Sequence, residues 1–600
     1  MNLLTYPFDV AMLRKKQKTI RRELLEKDVV LLEKRIAILG GSTTNMFRDF
    51  LELFLLDAGV KPIFYESEYA QYYEEAVFQN DALLAFAPDI IFVFTTSVNL
   101  KEQPSVFETK EEAEARINRE YTRYQSIWDG LAARYHAVII QNNFEMPAYL
   151  PLGSLDTVLW SGWRNTIESL NARIAEYAMA HAGMYVHDIH YLASVLGMEQ
   201  WFDLSQYSAY KLAVCYESMP FVALHAANVV KAVLGKTKKC LVLDLDNTLW
   251  GGIIGDDGME GIQIGKETPE AEAYTAFQRY LLTLKERGVL LAVCSKNEEV
   301  VAKSGFSHPD TVLQLDDFVA FQANWEPKDQ NIRAIARQLN IGLDSLVFLD
   351  DNPAERAIVR QGVPEVAVPE VTGGDVVSYI RALERNGYFE PIAISEDDRK
   401  RSEAYRENKK RVELEASLDS YEDFLRSLDM QAEIASFQPI YYDRIAQLTN
   451  KSNQFNLTTF RYTRTDIERM AKDSRYITLY GRLQDRFGDN GLVSVIIAEK
   501  EGSDVHIRLW LMSCRVLKRG MEEAMMDLLL ARTRLAGGKK LIGYYYPTAK
   551  NGMVRDFYGL HGFSLLEDVA GATVWVYDLA AKDTSPVQRH FIMVKEAEVD

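Results

Sequence analysis

The chain is 600 residues long, 48% apolar and 26% charged, which is too long for one hydrophobic core and too ordinary in composition for a disordered or fibrous protein. With 86 acidic residues against 68 basic ones the formal charge is −18, and such a surface gains little from counterion release, so nonspecific nucleic-acid binding is disfavoured. Cys215, Cys240, Cys294 and Cys514 lie far apart with no CxxC pair, which excludes a readable disulfide framework or zinc knuckle and fits a reducing compartment. No run of 18 apolar residues occurs, so a cytoplasmic protein with no membrane span is expected.

Taken in chain order, residues 1–33 carry a few apolar residues followed by the basic Arg14 to Arg22 stretch, the reverse of a secretory signal, and read as an amphipathic docking helix. Residues 34–235 place apolar runs at Ile36 to Leu39, Asp89 to Phe94 and Ala137 to Ile140 between helical stretches, a βαβ rhythm that predicts a parallel sheet. Residues 236–390 repeat the rhythm at Cys240 to Leu243, Val289 to Val293 and Leu346 to Leu349, each run ending in polar residues where open parallel sheets bind ligands. Residues 391–430 are charge-dense and poor in glycine, which predicts a linker of solvated helices. Residues 431–580 alternate over Val493 to Ile497 and Val505 to Leu511 before a helix from about Gly520 to Arg534, a mixed α+β domain, and 581–600 form a polar tail. The fold class expected is multidomain α/β.

The chemistry concentrates in the second rhythm. Asp244-Leu245-Asp246-Asn247-Thr248 directly follows a buried strand, Ser295 ends the second run, Lys328 closes Trp325-Glu326-Pro327-Lys328, and Asp350-Asp351 follow the third. A carboxylate can attack phosphorus and split one displacement into two, the role read for Asp244, while Asp246 can protonate the leaving oxygen and then deprotonate water. Clustered carboxylates repel one another unless a hard cation sits among them, so Mg²⁺ is expected on Asp244, the Asp246 carbonyl and Asp351, with Asp350 beside them. Ser295 and Lys328 would hold the phosphoryl oxygens as charge develops there. The order of these four elements resembles the haloacid dehalogenase superfamily. Roughly fifty residues separate successive elements, too few for an inserted cap, so an open site is expected.

Longer stretches, VLDLDNTLWGGIIGDDG, LAVCSKN, FLDDNPAER, TNKSNQFNLTT, DRFGDNGLVSV, LMSCRVLKRGMEEA and YYPTAKNGMVRDFYGLHGF, together resemble the FkbH family over about Lys236 to Leu579. That resemblance implies a capless haloacid-dehalogenase-type phosphatase module with a Rossmann-like fold, fused to an acyltransferase-like module of the GNAT fold. It further implies loading of glyceryl from 1,3-bisphosphoglycerate onto the pantetheine thiol of an acyl carrier protein. Within the GNAT-like segment, Arg515, Lys518 and Gly520 lie on a strand-to-helix turn that would offer amides to a pantetheine or coenzyme A phosphate, although Lys518 stands where glycine is usual. Cys294 and Cys514 are candidates for a covalent acyl relay, buried structural cysteine being the commoner alternative. Asn450, Asn453, Gln454, Asn456, Asp489 and Asn490 would suit substrate binding, or turns. Lys518, Arg519 and the Arg14 to Arg22 segment are the candidate basic surface for an acidic carrier.

In the first domain, Ser42 after the first strand, with Asp188 and His190 near the domain's end, resembles an SGNH-type hydrolase. The Asp-x-His spacing and the GGS block depart from that family's pattern, so a degenerate binding scaffold is favoured over an active esterase. The alternatives to acyl loading are a plain phosphatase with recruiting flanks and a non-enzymatic assembly scaffold.

Overall fold

The computed structural model describes residues 3–27, 29–452, 454–548, 550–579 and 590–596, with the side chains at 397, 409, 451 and 514 outside the description. Two compact units result, Met1–Val233 and Leu234–Asp600, each with its own α/β architecture.

In the first unit, strands β1 (Leu32–Gly40), β2 (Val60–Glu66), β3 (Ile90–Phe94), β4 (Val138–Asn142) and β5 (Met184–His187) form a parallel sheet in the order β2-β1-β3-β4-β5. β1, β3 and β4 are the expected apolar runs. Strands β2 and β5 are the sheet's edges, where a strand needs no continuous apolar run, and β2 alternates buried Val60 and Pro62 with exposed Lys61 and Ile63. The N-terminal helix, Val10–Glu26, starts at Asp9, whose carboxylate accepts from the Met12 N–H at 2.9 Å. Its apolar face, Leu13, Ile20 and Leu24, is buried, and Arg21 donates to Glu52 of helix Asn45–Asp57 at 2.8 Å. The expected docking helix thus buries Leu13, Ile20 and Leu24 and leaves a mostly charged face to solvent.

One buried acid in this unit sets a pH dependence. Glu145, 1% exposed, follows β4 and accepts from the Ser97 hydroxyl at 2.8 Å, and burial pushes its carboxyl up to about 7. Between the ordinary unfolded value near 4.3 and that folded value, the folded state keeps a proton that the unfolded chain has released. Stability therefore falls as pH rises through this window, on the order of 3 kcal/mol in all. Glu145→Gln removes the titration: thermal melts should match wild type at pH 4.5 and rise above it at pH 8, and a variant melting lower at pH 8 would contradict the assignment.

In the second unit, β6 (Cys240–Leu243), β7 (Leu290–Ser295), β8 (Phe318–Ala323) and β9 (Leu346–Leu349) form a parallel sheet ordered β8-β7-β6-β9. The edge strand β8 is interrupted by half-buried Phe321 and Gln322, which hides it from an apolar-run reading. Leu241, Leu243 and Val293 pack on one face, Cys240, Val242 and Cys294 on the other. From Asp244 to Asp350 the chain holds only β7, β8, short 3-10 turns and helices Ile254–Gly261, Pro269–Glu286, Glu299–Ser304 and Lys328–Leu339, so no cap domain is inserted.

The last sheet contains, among the described residues, β10 (Gln431–Ala435), β11 (Phe455–Asn456), β12 (Tyr476–Asp485), β13 (Gly488–Glu501), β14 (Asp504–Met512), β15 (Lys540–Tyr545), β16 (Ser564–Val569), β17 (Ala572–Asp578) and β18 (Met593–Glu596). Its order is β16-β17-β15-β14-β13-β12-β10-β18, with β11 on β14. Part of the expected polar tail is therefore β18, parallel to β10, while 580–589 and 597–600 lie outside the described residues. The segment expected as solvated linker also packs. Its helices are Glu396–Arg399, Arg401–Ala416 and Tyr421–Ser427; Phe424 and Leu428 enter the core of the last sheet, and Arg411, buried, grips Asp485 of β12 with bonds of 2.8 and 2.7 Å. A high density of charge did not mean exposure here, because the buried charges are paired.

Candidate active site

Four strand ends of the Cys240–Leu349 sheet converge. Asp244 and Asp246 leave β6, Ser295 ends β7, the loop from β8 leads into the helix that begins at Lys328, and Asp350 and Asp351 leave β9. After Asp246 the chain turns through Asn247 in the left-handed region (φ 53°), a conformation asparagine tolerates, and the Asn247 carboxamide oxygen accepts from the Gly252 N–H at 3.0 Å. Pro327 precedes the Lys328 helix and sets its first turn, so Lys328 points from that turn into the carboxylates.

Lys328, 2% exposed, lies between Asp244, at 2.9 Å from its Oδ2, and Asp350. One ligand oxygen from each of Asp244, Asp350 and Asp351 comes within 4.8 Å of the others. Burial and the neighbouring Asp244 charge push the carboxyls of Asp350 and Asp351 above the usual range, while the carboxylates of Asp244 and Asp350 outweigh burial and hold Lys328 above its own. Oδ1 of Asp244 is buried and has no hydrogen-bond partner. An all-oxygen donor set with an orphaned carboxylate oxygen and one buried ammonium for three acids is what a hard divalent cation would complete, so the residues present fit a metal such as Mg²⁺ on Asp244, Asp350 and Asp351.

Two groups that the sequence reading missed hold this arrangement. Asn297 donates from its amide to Asp246 Oδ2 at 2.9 Å and to the Ser295 hydroxyl at 3.2 Å, joining the β6 and β7 loops. The other oxygen of Asp246 accepts from Trp250 Nε1 and the Ile254 N–H, both at 3.0 Å. Arg356, buried, donates to the carbonyls of Asp350 and Asp351 at 2.8 Å and of Val371 at 3.0 Å, and so shapes the acidic loop from behind. Cys294 adjoins Ser295, but it is fully buried in the opposite core, and burial raises its thiol far above the ordinary range. That environment corrects the relay expectation for Cys294; the Cys514 side chain lies outside the described residues.

The turn expected to meet a pantetheine phosphate is not open. The Lys518 N–H, at φ 64°, donates to the buried carboxylate of Glu522 at 2.8 Å, so the chain's own anion occupies the helix N-terminus expected to take a pantetheine phosphate. Gly520 has φ 91°, and a Cβ there would lie 2.8 Å from Cβ of His590, so the turn is also covered by the segment leading to β18. Arg515 reaches Ser513 at 3.3 Å, and buried Arg519 turns inward to Asn408 at 2.7 Å and Asp485 at 3.4 Å, which removes it as docking surface. A second opening is filled too. β14 and β15 pair from Asp504 to Ile507 and then diverge, and β11 lies in the gap, bonding Leu511 and Met512, while Leu457 donates to the Trp510 carbonyl at 3.1 Å and accepts from the Tyr546 N–H at 2.9 Å. An extended amide ligand would need the strand groups that this segment uses. Asn456, expected to touch substrate, is fully buried and accepts from the Thr459 N–H at 2.8 Å, Asn450 donates to the Ala446 carbonyl at 3.0 Å, Asp489 binds Arg482 at 3.0 Å and Asn490 donates to Asp485 at 3.3 Å; these are structural bonds, and Asn453 lies outside the described residues.

In the first unit no serine relay is assembled among the described residues. The Ser42 hydroxyl is buried without a partner, the His190 ring contacts the Phe144 carbonyl at 2.9 Å, and Asp188 accepts from Asn143 at 2.7 Å and caps helix Ile189–Leu196. A serine without a hydrogen-bond partner and an aspartate engaged by Asn143 and the helix cap are what a degenerate site would have.

No described helix is long and apolar enough to cross a membrane. The model of the FkbH N-terminal domain matches residues 35–231. Among solved structures, the N-terminal part of the protein BF1531 from Bacteroides fragilis, which contains a phosphatase domain complexed with Mg, is 31% identical over 63% of this chain and 99% of that chain, with a TM-score of 0.58. The ribosomal-protein-S18-alanine N-acetyltransferase from Escherichia coli is 11% identical over 25% of this chain and 94% of that one, with a TM-score of 0.20. An acetyltransferase of the GNAT family from Streptococcus pneumoniae is 12% identical over 25% of this chain and 99% of that one, with a TM-score of 0.21. No curated protein matches the chain. An FkbH N-terminal domain at the front and the match to nearly the whole of the BF1531 part agree on one conclusion: this chain belongs to the FkbH-like family and carries a phosphatase-like module.

Proposed function

We propose that the second unit is a Mg²⁺-dependent phosphoryl-transfer enzyme of the haloacid dehalogenase type with Asp244 as nucleophile, and that it couples loss of phosphate to delivery of an acyl group onto an acyl carrier protein. The observation that carries the phosphoryl half is the trio Asp244, Asp350 and Asp351, one oxygen of each within 4.8 Å of the others, with Asp244 Oδ1 unpartnered and buried Lys328 beside them. A Mg²⁺ ion, when bound by these carboxylates, would screen the charge of an incoming phosphoryl group and align it with Asp244. Lys328 and the Ser295 hydroxyl, to which Asn297 donates, would hold phosphoryl oxygens. Both oxygens of Asp246 are engaged, so its work as acid and then base requires that it release one of its three donors, of which Asn297 is the side chain most able to move with substrate.

Acyl delivery rests on the family resemblance and on the absence of a cap over the site, which leaves room for a protein-tethered substrate. The filled gap beside β14 and the Glu522-capped turn obstruct a pantetheine arm on the last sheet whether a carrier protein or coenzyme A bears it, so an acceptor thiol would have to approach the open Asp244 site instead. Free buried cysteines in both units agree with a reducing, cytoplasmic setting. The test is intact-mass measurement of a phosphopantetheinylated carrier protein incubated with the enzyme, Mg²⁺ and 1,3-bisphosphoglycerate, run beside a phosphate-release assay. A glyceryl increment on the carrier is expected. Phosphate release with an unchanged carrier mass would leave the plain phosphatase, and silence in both assays would leave the scaffold.

A further inference from the structure

Two neighbouring loops of the first unit leave large apolar side chains bare. One follows β3 and carries Val106 and Phe107; the other follows β4, the next strand of the sheet, and carries Tyr149, Leu155, Val158 and Trp160. Phe107 is 94% exposed, Val158 72% and Tyr149 63%, and the other three are each more than half exposed. From residue 149 to residue 160 the only charged side chain is Asp156, which is buried. On a chain of net charge −18 this stretch is an uncharged apolar face.

Buried bonds hold the loops in this form. Asp156 accepts from the Trp163 and Arg164 N–H groups, both at 2.9 Å, at the start of helix Trp163–Ala180, and Asn165 donates to the Trp160 carbonyl at 2.9 Å. The Ser161 hydroxyl donates to the Val106 carbonyl at 3.2 Å, which ties one loop to the other. Buried Arg116 donates to Glu108 at 3.0 Å and to the Thr166 hydroxyl at 3.1 Å, joining the base of the first loop to the same helix. A face fixed in this way loses little further entropy on meeting a partner.

At ~200 Å² for an aromatic side chain and ~100 Å² for an aliphatic one, the six residues present on the order of 600 Å² of apolar area. That is the upper end of what monomers leave exposed, about 300–600 Å². It also matches the apolar part of a standard homodimer interface, which buries about 800 Å² per partner, about 65% of it apolar. Transient partners meet surfaces about as polar as the rest of a protein, whereas this face offers three aromatic anchors. Charges at its rim are of both signs and paired, Arg164 with Glu168 at 2.8 Å and Lys110 with Glu114 at 3.7 Å, so no basic collar draws it to an anionic membrane.

We propose that Val106, Phe107, Tyr149, Leu155, Val158 and Trp160 form a twofold interface with a second copy of this chain. A twofold contact places the same patch on both sides, so each copy supplies the apolar area that the other lacks. Two chains of charge −18 repel one another, and an uncharged face is where they approach at least cost. The inference concerns the first unit alone and does not depend on phosphoryl transfer or acyl delivery.

The experiment is sedimentation velocity on the full chain from about 1 μM to about 100 μM, beside the same runs on Phe107→Asp/Val158→Asp and on Met179→Asp. Both substituted side chains of the double variant are exposed in the monomer, so its thermal melt should match wild type. Wild type should form dimers within this range, and the double variant should stay monomeric, a weakening of at least about 100-fold. Met179→Asp alters an equally bare residue, 81% exposed, near the far end of helix Trp163–Ala180, and should still dimerise. A wild type monomeric at the highest concentration, or a dimer unchanged in the double variant, would overturn the proposal. Co-sedimentation of that monomeric wild type with neutral phosphatidylcholine vesicles would assign the face to a lipid surface instead.

Discussion

Asp244→Asn should lower phosphate release by at least about 10³-fold while leaving the fold intact. An amide neither attacks phosphorus nor forms an acyl phosphate, so what survives is binding without a nucleophile. The fold should persist because the substitution keeps shape: the backbone N–H of residue 244 still donates to the Leu349 carbonyl at 3.0 Å, and Lys328 still has Asp350. It also removes one of three acids held within 4.8 Å of one another. In the absence of divalent cation the variant should therefore melt at or above the wild-type temperature. The stabilisation that Mg²⁺ gives to wild type should shrink, because a ligand that binds only the folded state stabilises in proportion to its affinity. Phosphate release and thermal melts with and without MgCl₂ check both halves. Activity above a tenth of wild type would exclude a covalent aspartyl phosphate, whereas a melting temperature depressed without Mg²⁺ would mean that Asp244 is structural.

The elements of this centre were legible because each follows a buried apolar run whose chemistry changes abruptly at its end: Leu243 to Asp244, Cys294 to Ser295, Leu349 to Asp350. Strands β2, β5 and β8 were not legible, and all three are edges with half-exposed or very short sequences, where burial imposes no continuous pattern. Asn297 had a weak signal, a lone amide two residues beyond Ser295 in the same strand-end loop, but its bond to Asp246 spans 51 residues. Arg356 had even less, since its hydrogen bonds go to backbone carbonyls, which every residue carries whatever its side chain. The largest misreadings concern pairings over long separations. Arg411 finds Asp485 74 residues away, which turns a charge-rich helix into a packed one, and Phe455 and Asn456 fill a gap beside a strand half a hundred residues downstream. Local composition carries no trace of either, and the second decides whether the last sheet presents an opening between β14 and β15 at all.

Lys328→Met should damage both stability and rate, and the two losses should respond differently to Mg²⁺. The ammonium is 2% exposed and lies between Asp244 and Asp350, so its removal leaves two buried carboxylates facing each other without a counter-charge. Breaking a buried ion pair from one side costs about 3–5 kcal/mol. The cost falls on Asp350, whose folded pKa, already raised by burial and the Asp244 charge, then rises further. Such groups lose stability as pH rises from the unfolded carboxylate value, near 3.9, through the folded value, so the deficit should be small at pH 4 and full at pH 8. Mg²⁺ should restore much of the stability by supplying positive charge to the same oxygens. It should not restore the rate, which falls by about 10²–10³-fold because a fixed donor to the phosphoryl oxygens is gone. The double variant Lys328→Met/Asp350→Asn should regain most of the lost stability at pH 8 and none of the activity, which separates charge balance from catalysis. Urea unfolding at pH 4 and pH 8, with and without Mg²⁺, beside phosphate release, measures each term. Equal stability of Lys328→Met and wild type at pH 8 without Mg²⁺ would mean that Lys328 is not the counter-ion of the acidic cluster, and the placement of the phosphoryl group between Lys328 and Ser295 would fall with it.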